Sequence, residues 1–275
     1  MKRHISTILL VLVFLIGVSL LLYPTLSDWW NDWKQSRAVA DYVEQVANID
    51  KDQYAEIWNA ARQYNDSLLN RPNHYLLSEK QAQEYPHLLN VGGNGIMGYV
   101  EIPSINETLP LYHGTDGEVL QVAIGHLEWS SLPVGGESSH CVVSGHRGLP
   151  SSRLFTDLDQ LAEGDIFLLR VLDEVLTYQV DQILVVEPHV TEDLLIVEGQ
   201  DLCTLVTCTP YGINTHRLLV RGHRVVNSEM KDIRRVTTEA TRIEPLIVAP
   251  LAASPLLLVL LFAVILPKKR TGKEK

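Results

Sequence analysis

Two long apolar runs, residues 5–22 and 246–266, bracket this chain of 275 residues. Each is close to the ~20 residues that a helix needs to cross the hydrocarbon core of a bilayer. Lys2, Arg3 and His4 precede the first run, and Lys268, Lys269, Arg270, Lys273 and Lys275 follow the second. Basic residues at the outer end of each run place both termini in the cytoplasm, so residues 27–244 are expected outside the cell membrane. No Ala-x-Ala-like site follows the first run, where Tyr23-Pro24-Thr25-Leu26 stands, and a retained anchor is expected rather than a cleaved signal. Pro250 and Pro255 weaken the second helix without forbidding a span. Trp29, Trp30 and Trp33 suit the headgroup zone, and equally a packing role in the exposed part.

These two ends hold seven of the 23 basic residues and one of the 33 acidic ones. The middle is left with 16 basic against 32 acidic residues, a net charge of −16. Such a surface argues against nucleic acid as a partner. About 220 residues are enough for one well-buried domain and a smaller appendage.

The hydrophobic period changes along that middle part. Val39, Tyr42, Val43 and Val46 follow one helical stripe; Tyr54, Ile57, Trp58, Ala61 and Leu68 follow another. Asp50, with Gln53 three residues on, is a candidate cap for the second helix. Residues 70–94 are polar, proline-bearing and weakly periodic, which predicts a loop, and Val91-Gly92-Gly93-Asn94-Gly95 marks a boundary. Beyond it the period is two: Leu176, Tyr178 and Val180 alternate with Thr177, Gln179 and Asp181. Short apolar runs at 96–102, 141–144, 166–171, 183–186, 202–207 and 218–226 predict further strands, and short helices are expected near 118–122 and 155–161. Gly and Pro clusters separate many of them, so the expected fold class is mainly β with added helices, the β part closed or nearly so.

Three cysteines, Cys141, Cys203 and Cys208, do not make a disulfide framework. Cys203 and Cys208 differ by an odd number, so on one strand they point to opposite faces. Cys141 and Cys203 read as core fillers. No cysteine or histidine pair has a zinc-ligand spacing backed by a second pair, and no Gly-rich phosphate loop is present, so neither metal nor any other cofactor is expected.

Cys208 is the candidate reactive group. The β-branched run Thr204-Leu205-Val206-Thr207 delivers it to a strand end, Thr209-Pro210 breaks the strand, and the next apolar run starts at Arg217. A thiol attacking a carbonyl needs a donor for the developing oxyanion, a part that an arginine cannot lose by deprotonation. A core cysteine followed by a surface arginine satisfies the same residues. A third apolar strand, Val142-Val143-Ser144, ends in the Gly-flanked turn Gly145-His146-Arg147-Gly148 and presents His146.

Ser144-Gly145-His146-Arg147-Gly148-Leu149-Pro150 and the segment from Thr204 through Cys208-Thr209-Pro210-Tyr211-Gly212-Ile213-Asn214-Thr215-His216-Arg217 resemble the sortases, membrane-anchored cysteine transpeptidases of Gram-positive bacteria, and within them the pilin-polymerising class C. Gly125-His126-Leu127, Ser131-Leu132-Pro133-Val134-Gly135-Gly136 and Leu111-Tyr112-His113-Gly114-Thr115 also look like family sequence. The resemblance covers residues 95–226 and implies an eight-stranded β-barrel with His146, Cys208 and Arg217 as its catalytic residues. It implies, in turn, a cytoplasmic stub and anchor over 1–26, an extracellular helical appendage over 27–69, a lid-like loop over 70–94, the barrel over 95–228, a linker over 229–244, a second membrane helix over 245–267 and a basic tail over 268–275. The implied partners are the membrane, pilin proteins with LPXTG-like C-terminal sorting signals, and an acceptor lysine of another pilin. Housekeeping sortases that attach proteins to the cell wall, cysteine hydrolases and a non-catalytic tethered adhesin are the alternatives. With reference pKa values of about 8.5 and 6.5, an independent thiol–imidazole pair is doubly charged only about 1% of the time at pH 7, which predicts a slow enzyme. Class C lids carry Asp-Pro-aromatic, and this chain contains no Asp-Pro; its loop has Arg71-Pro72-Asn73-His74-Tyr75 instead. An open or loosely shielded Cys208 is therefore expected.

Overall fold

The computed structural model describes residues 2–69, 71 and 73–226. The second apolar run, the linker before it and the basic tail lie outside the described residues. The first apolar run belongs to helix α1 (Lys2–Ala47). Among the described residues, that is the one helix long and apolar enough to cross a membrane, by length and composition.

Eight strands close into a barrel. They are β1 (Ile96–Ile102), β2 (Glu107–His113), β3 (Ile124–His126), β4 (Ser139–Ser144), β5 (Ile166–Val171), β6 (Glu174–Val186), β7 (Asp201–Thr209) and β8 (His216–Val225). The order around the barrel is β1-β2-β3-β4-β7-β8-β6-β5. Two of the pairings, β2 with β3 and β4 with β7, are parallel; the others are antiparallel. Alternate residues point inward, as a half-buried strand requires. Cys141 and Val143, Cys203 and Leu205, and Leu218 and Val220 all belong to the interior cluster, with Phe155, Phe167 and Tyr178 filling the volume. Cys141 and Cys203 are free, buried and register partners on β4 and β7, and both fill core positions.

The predicted strands at 176–180 and 183–186 are one continuous strand, β6. Its register against β8 shifts between Val180 and Gln182, and that irregularity breaks the sequence period at Asp181. Asp181 is instead held by Arg221 across the pair, at 3.0 and 3.2 Å. Strands β2 and β3 were not among the predicted runs.

Helix α2 (Lys51–Leu68) starts at Asp50, whose carboxylate accepts from the backbone N–H groups of Asp52 and Gln53. Contrary to the loop expected over 70–94, residues 79–84 form a helix, α3 (Glu79–Glu84), followed by a 3₁₀ turn at Tyr85–His87. A reciprocal capping box between Ser78 and Gln81 nucleates α3, which is too short to show an apolar period. Near 118–122 the helix is α4 (Gly117–Leu120), and near 155–161 there is only a 3₁₀ turn, Leu158–Gln160.

The helices pack on the barrel through a second core that includes Tyr42, Ala61, Tyr64, Leu68, Tyr85, Met97 and Val171. Two buried polar clamps fix its geometry. Tyr42 Oη donates to Met97 O at 3.0 Å and accepts from Leu172 N–H at 2.8 Å. The Asn65 carboxamide pairs with both backbone groups of Leu132, at 3.1 and 2.7 Å.

His140, 1% exposed on β4, is a third fixed polar group. Its Nδ1–H donates to Leu195 O at 2.8 Å, which leaves Nε2 to accept from Thr204 Oγ1 at 2.7 Å. Burial lowers its pKa from 6.5 to about 4, with Arg221 pushing the same way. A histidine with a depressed native pKa gives stability that is complete above its unfolded pKa and is lost as pH falls through the folded one. Urea unfolding at a series of pH values should therefore show about 3 kcal/mol disappearing between pH ~6.5 and ~4. His140→Gln should flatten that slope; an unchanged slope would clear His140 of any part in acid sensitivity.

Candidate active site

The parallel pairing of β4 with β7 brings the candidate residues together. Ser144 is the register partner of Val206. The alignment continues past the last strand residue: Gly145 N–H donates to Val206 O at 3.0 Å, and Thr207 Oγ1 donates to Gly145 O at 2.7 Å. His146 and Cys208 are the next residues along the two stretches of chain. On the other side of β7, Cys208 is the register partner of Arg217 on β8. Cys208 and Arg217 thus face each other across β7 and β8, and β4, which leads to His146, ends on the other side of β7.

Strand parity settles the face. Val142, Val206 and Leu219 belong to an outer apolar cluster with Leu194, while their sequence neighbours belong to the barrel interior. Cys208 is two residues on from Val206, and Arg217 two residues before Leu219, so both sit on that outer face. Partly buried Leu127, Trp129, Leu184 and Val186 pack against that cluster.

Gly145 is required where it stands. A Cβ there would lie 2.6 Å from Phe155 Cδ2 and 2.9 Å from Ile124 Cγ2, so any larger residue drives the strand end off Phe155. Phe155 N–H in turn donates to His146 O at 3.1 Å, which fixes the backbone of the histidine.

The chemistry fits the positions. His146 is half-buried and desolvation lowers its pKa below 6.5, which favours the neutral ring at neutral pH. Cys208 is partly exposed, unlike Cys141 and Cys203. The Arg217 guanidinium donates only to the carbonyls of Asn214, at 3.3 Å, and His216, at 3.1 Å. Among the described residues no carboxylate pairs with it, so its charge is not already spent. The arrangement can therefore offer a nucleophile, a proton carrier and an oxyanion donor to one carbonyl.

The other histidines fall outside it. His126 is fully buried, donating through Nε2–H to Ser131 O at 2.8 Å, so that Nδ1 accepts from Tyr85 Oη at 2.9 Å. His216 contacts Thr215 Oγ1, and its strand partner is Thr209, one position beyond the cysteine. Among the described residues no cluster of three metal-ligating side chains exists.

The lid-like segment is docked on a different feature. Arg71 Nη2 donates to Trp129 O at 2.7 Å, and the Tyr75 ring meets the Trp129 ring edge-on, centroids 5.2 Å apart. Among the described residues no hydrogen bond or ring contact joins this segment to His146, Cys208 or Arg217. The sequence reading did not identify Trp129 as the dock, because an aromatic in a loop carries no periodic signal.

A sortase-domain family model matches residues 100–225. Sortase D of Bacillus subtilis is 30% identical over 131 residues, 46% of this chain but only 63% of that protein, less than two thirds of its length. Sortase A of Bacillus anthracis is 26% identical over 239 residues, 82% of this chain and 96% of that one. Among solved structures, sortase C1 of Streptococcus agalactiae is 53% identical with a TM-score of 0.68, covering 70% of this chain and 99% of that chain. Sortase C of Streptococcus pneumoniae is 47% identical with a TM-score of 0.63, covering 69% and 97%.

Substitution tests the roles expected of the three residues. Cys208→Ala should abolish thioacyl formation, since no other exposed thiol is present among the described residues. His146→Ala should cost about 10²–10⁴-fold in turnover and Arg217→Ala about 10²–10³-fold. Arg217→Lys should also be poor, because a point charge does not reproduce the planar fork. Wild-type turnover in any of these variants would remove that residue from the mechanism. Tyr75→Ala should change iodoacetamide labelling of Cys208 by less than about two-fold, as a loosely docked segment would. Many-fold acceleration would instead identify the Tyr75–Trp129 contact as a lock that shields the thiol.

Proposed function

This chain belongs to the sortase family of cysteine transpeptidases, and we propose that it polymerises pilin subunits at the outer face of the cell membrane. The observation that carries the reading is the register pairing of Cys208 with Arg217 at the end of β7, beside the parallel strand that leads to His146. An extended LPXTG-like sorting signal suits the outer face of this sheet, with its threonine carbonyl at the sulfur. The Streptococcus pneumoniae relative has pilin substrates, which supports the same substrate class here.

In the first half-reaction the Cys208 thiol passes its proton to His146 as the sulfur bonds to the threonine carbonyl carbon, and Arg217 holds the oxyanion of the tetrahedral intermediate. The peptide C–N bond then breaks, and His146 gives a proton to the departing amine. A thioacyl enzyme and a free C-terminal fragment result. In the second half-reaction a lysine amine of the next pilin attacks the thioester, the C–S bond breaks, and His146 takes the amine's proton and returns it to the departing sulfur. The product is an isopeptide bond and a regenerated thiol.

The apolar helix at the start of the chain supports retention at a membrane. The proposed topology has two spans and both termini in the cytoplasm. Enzyme and secreted pilin would then share one surface layer, which raises their effective concentration without any new contact. A free lysine of pKa ~10.4 is scarcely deprotonated at neutral pH, so a folded pilin has to present the acceptor amine beside His146 or hold it at a lowered pKa.

Co-expression with a candidate pilin, in cells that lack other sortases, should give covalent ladders. Mass spectrometry should find each rung joined from a sorting-signal threonine to one specific lysine. Pilin recovered only as monomer linked to the cell wall would move the assignment to the housekeeping reaction, and release of free acid alone would move it to hydrolysis.

A further inference from the structure

Arg147 follows the histidine directly, yet its side chain is only 9% exposed. All three of its nitrogen groups are engaged. Nε–H donates to Thr156 O at 3.1 Å, Nη1 donates to Thr209 Oγ1 at 3.2 Å, and Nη2 pairs with the Asp159 carboxylate. The guanidinium carbon also lies 5.9 Å from the centre of the Tyr211 ring. One planar group thus joins three separate stretches of chain: the turn that carries His146, the 156–159 segment behind it, and the end of β7 one residue past Cys208. The turn itself leans on the same parts. Gly148 has φ +76°, a Cβ there would lie 3.0 Å from the Tyr211 ring, and its N–H donates to Thr156 Oγ1 at 3.1 Å.

These contacts argue against Arg147 as the oxyanion donor, since each of its nitrogens is already engaged and its charge is balanced by Asp159. They suit a different task. The backbone hydrogen bond from Gly145 to Val206 and the Thr207 hydroxyl's bond to Gly145 O come one residue before His146 and Cys208, and His146 itself lies beyond the end of β4. The brace from Arg147 to Thr209 closes the gap on the far side of the histidine. His146 and Cys208 are enclosed between two cross-strand ties, one residue before each of them and one residue after.

We propose that Arg147 is a positioning residue that sets the distance between His146 and Cys208 by clamping the histidine turn to the end of β7. The proposal rests on the proposed reading of His146 and Cys208 as a catalytic pair. A fork is required: lysine carries the charge but cannot bind Thr156, Thr209 and Asp159 in one plane. An ångström-scale displacement of a reacting group costs on the order of 100-fold.

The test uses the full chain in lipid nanodiscs and two readouts. The first is the pH dependence of iodoacetamide alkylation located at Cys208 by peptide mapping, which needs no substrate. Wild type should show a step contributed by His146 that His146→Ala lacks. Arg147→Ala and Arg147→Lys should lose that step and match His146→Ala, and adding Arg147→Ala to His146→Ala should change nothing further. Thr209→Val, which removes one acceptor, should shift the profile in the same direction by less. The second readout is turnover of a Leu-Pro-x-Thr-Gly peptide, where kcat should fall about 10- to 100-fold with KM unchanged. If the peptide is not turned over by wild type, the substrate reading fails while the alkylation profiles still decide the role of Arg147. A wild-type profile in Arg147→Lys and Thr209→Val overturns the proposal, as does an Arg147→Ala effect that adds in full to that of His146→Ala. If Arg147→Ala does not fold, the lysine and Thr209 variants carry the decision alone.

Discussion

Strands β4 and β7 lie side by side in parallel, although the residues that tie their ends are 62 positions apart in sequence. A parallel pair cannot be closed by a hairpin; it needs a long connection, and here β5 and β6 complete the barrel in between. The reward is geometric. In a parallel pair both strands deliver their C-terminal ends to the same rim, so one strand can end in a nucleophile and its neighbour in a base. A one-residue slip would turn Cys208 into the barrel and leave Thr207 facing the histidine. The Thr207–Gly145 hydrogen bond and the tight fit of Gly145 on Phe155 both oppose such a slip.

The helical appendage is joined to the barrel by a small number of specific polar contacts set in an apolar surface. The Tyr42 hydroxyl and the Asn65 carboxamide each satisfy a donor and an acceptor of the barrel backbone at buried positions. Apolar packing alone is non-directional, so clamps of this kind fix orientation where the hydrophobic surface would tolerate sliding.

What the sequence showed and what it hid follow from contact range. Cys208 and Arg217 are legible as a pair because the hairpin between β7 and β8 is local and parity alone puts them on one face. Strand β1 and strand β5 appear with their observed limits, since each is an uninterrupted apolar run. Strand β2 was hidden by Pro110, which breaks the alternation, and β3 by its length of three residues. The bulge at Asp181 split β6 in two because a register shift reads as a loss of period. The family resemblance pointed to His146, but its position relative to Cys208 depends on the β4–β7 register, which no local pattern encodes. Arg147 stood in the same motif, and nothing in the sequence shows that its partners are Thr156, Thr209 and Asp159. The segment over 70–94 was misread because a six-residue helix has too few turns to declare a stripe, though Ser78 and Gln81 were a readable cap.

The three thiols occupy sharply different environments: Cys141 and Cys203 are 2% and 0% exposed on adjacent strands, and Cys208 stands at the rim. The fold therefore sorts chemically identical groups by access. A reagent that reaches only the surface meets a single sulfur in the intact barrel and all three once the strands part. The stoichiometry of labelling then counts folded molecules, whether or not any substrate is known, and the two silent cysteines serve as an internal standard for the one that reacts.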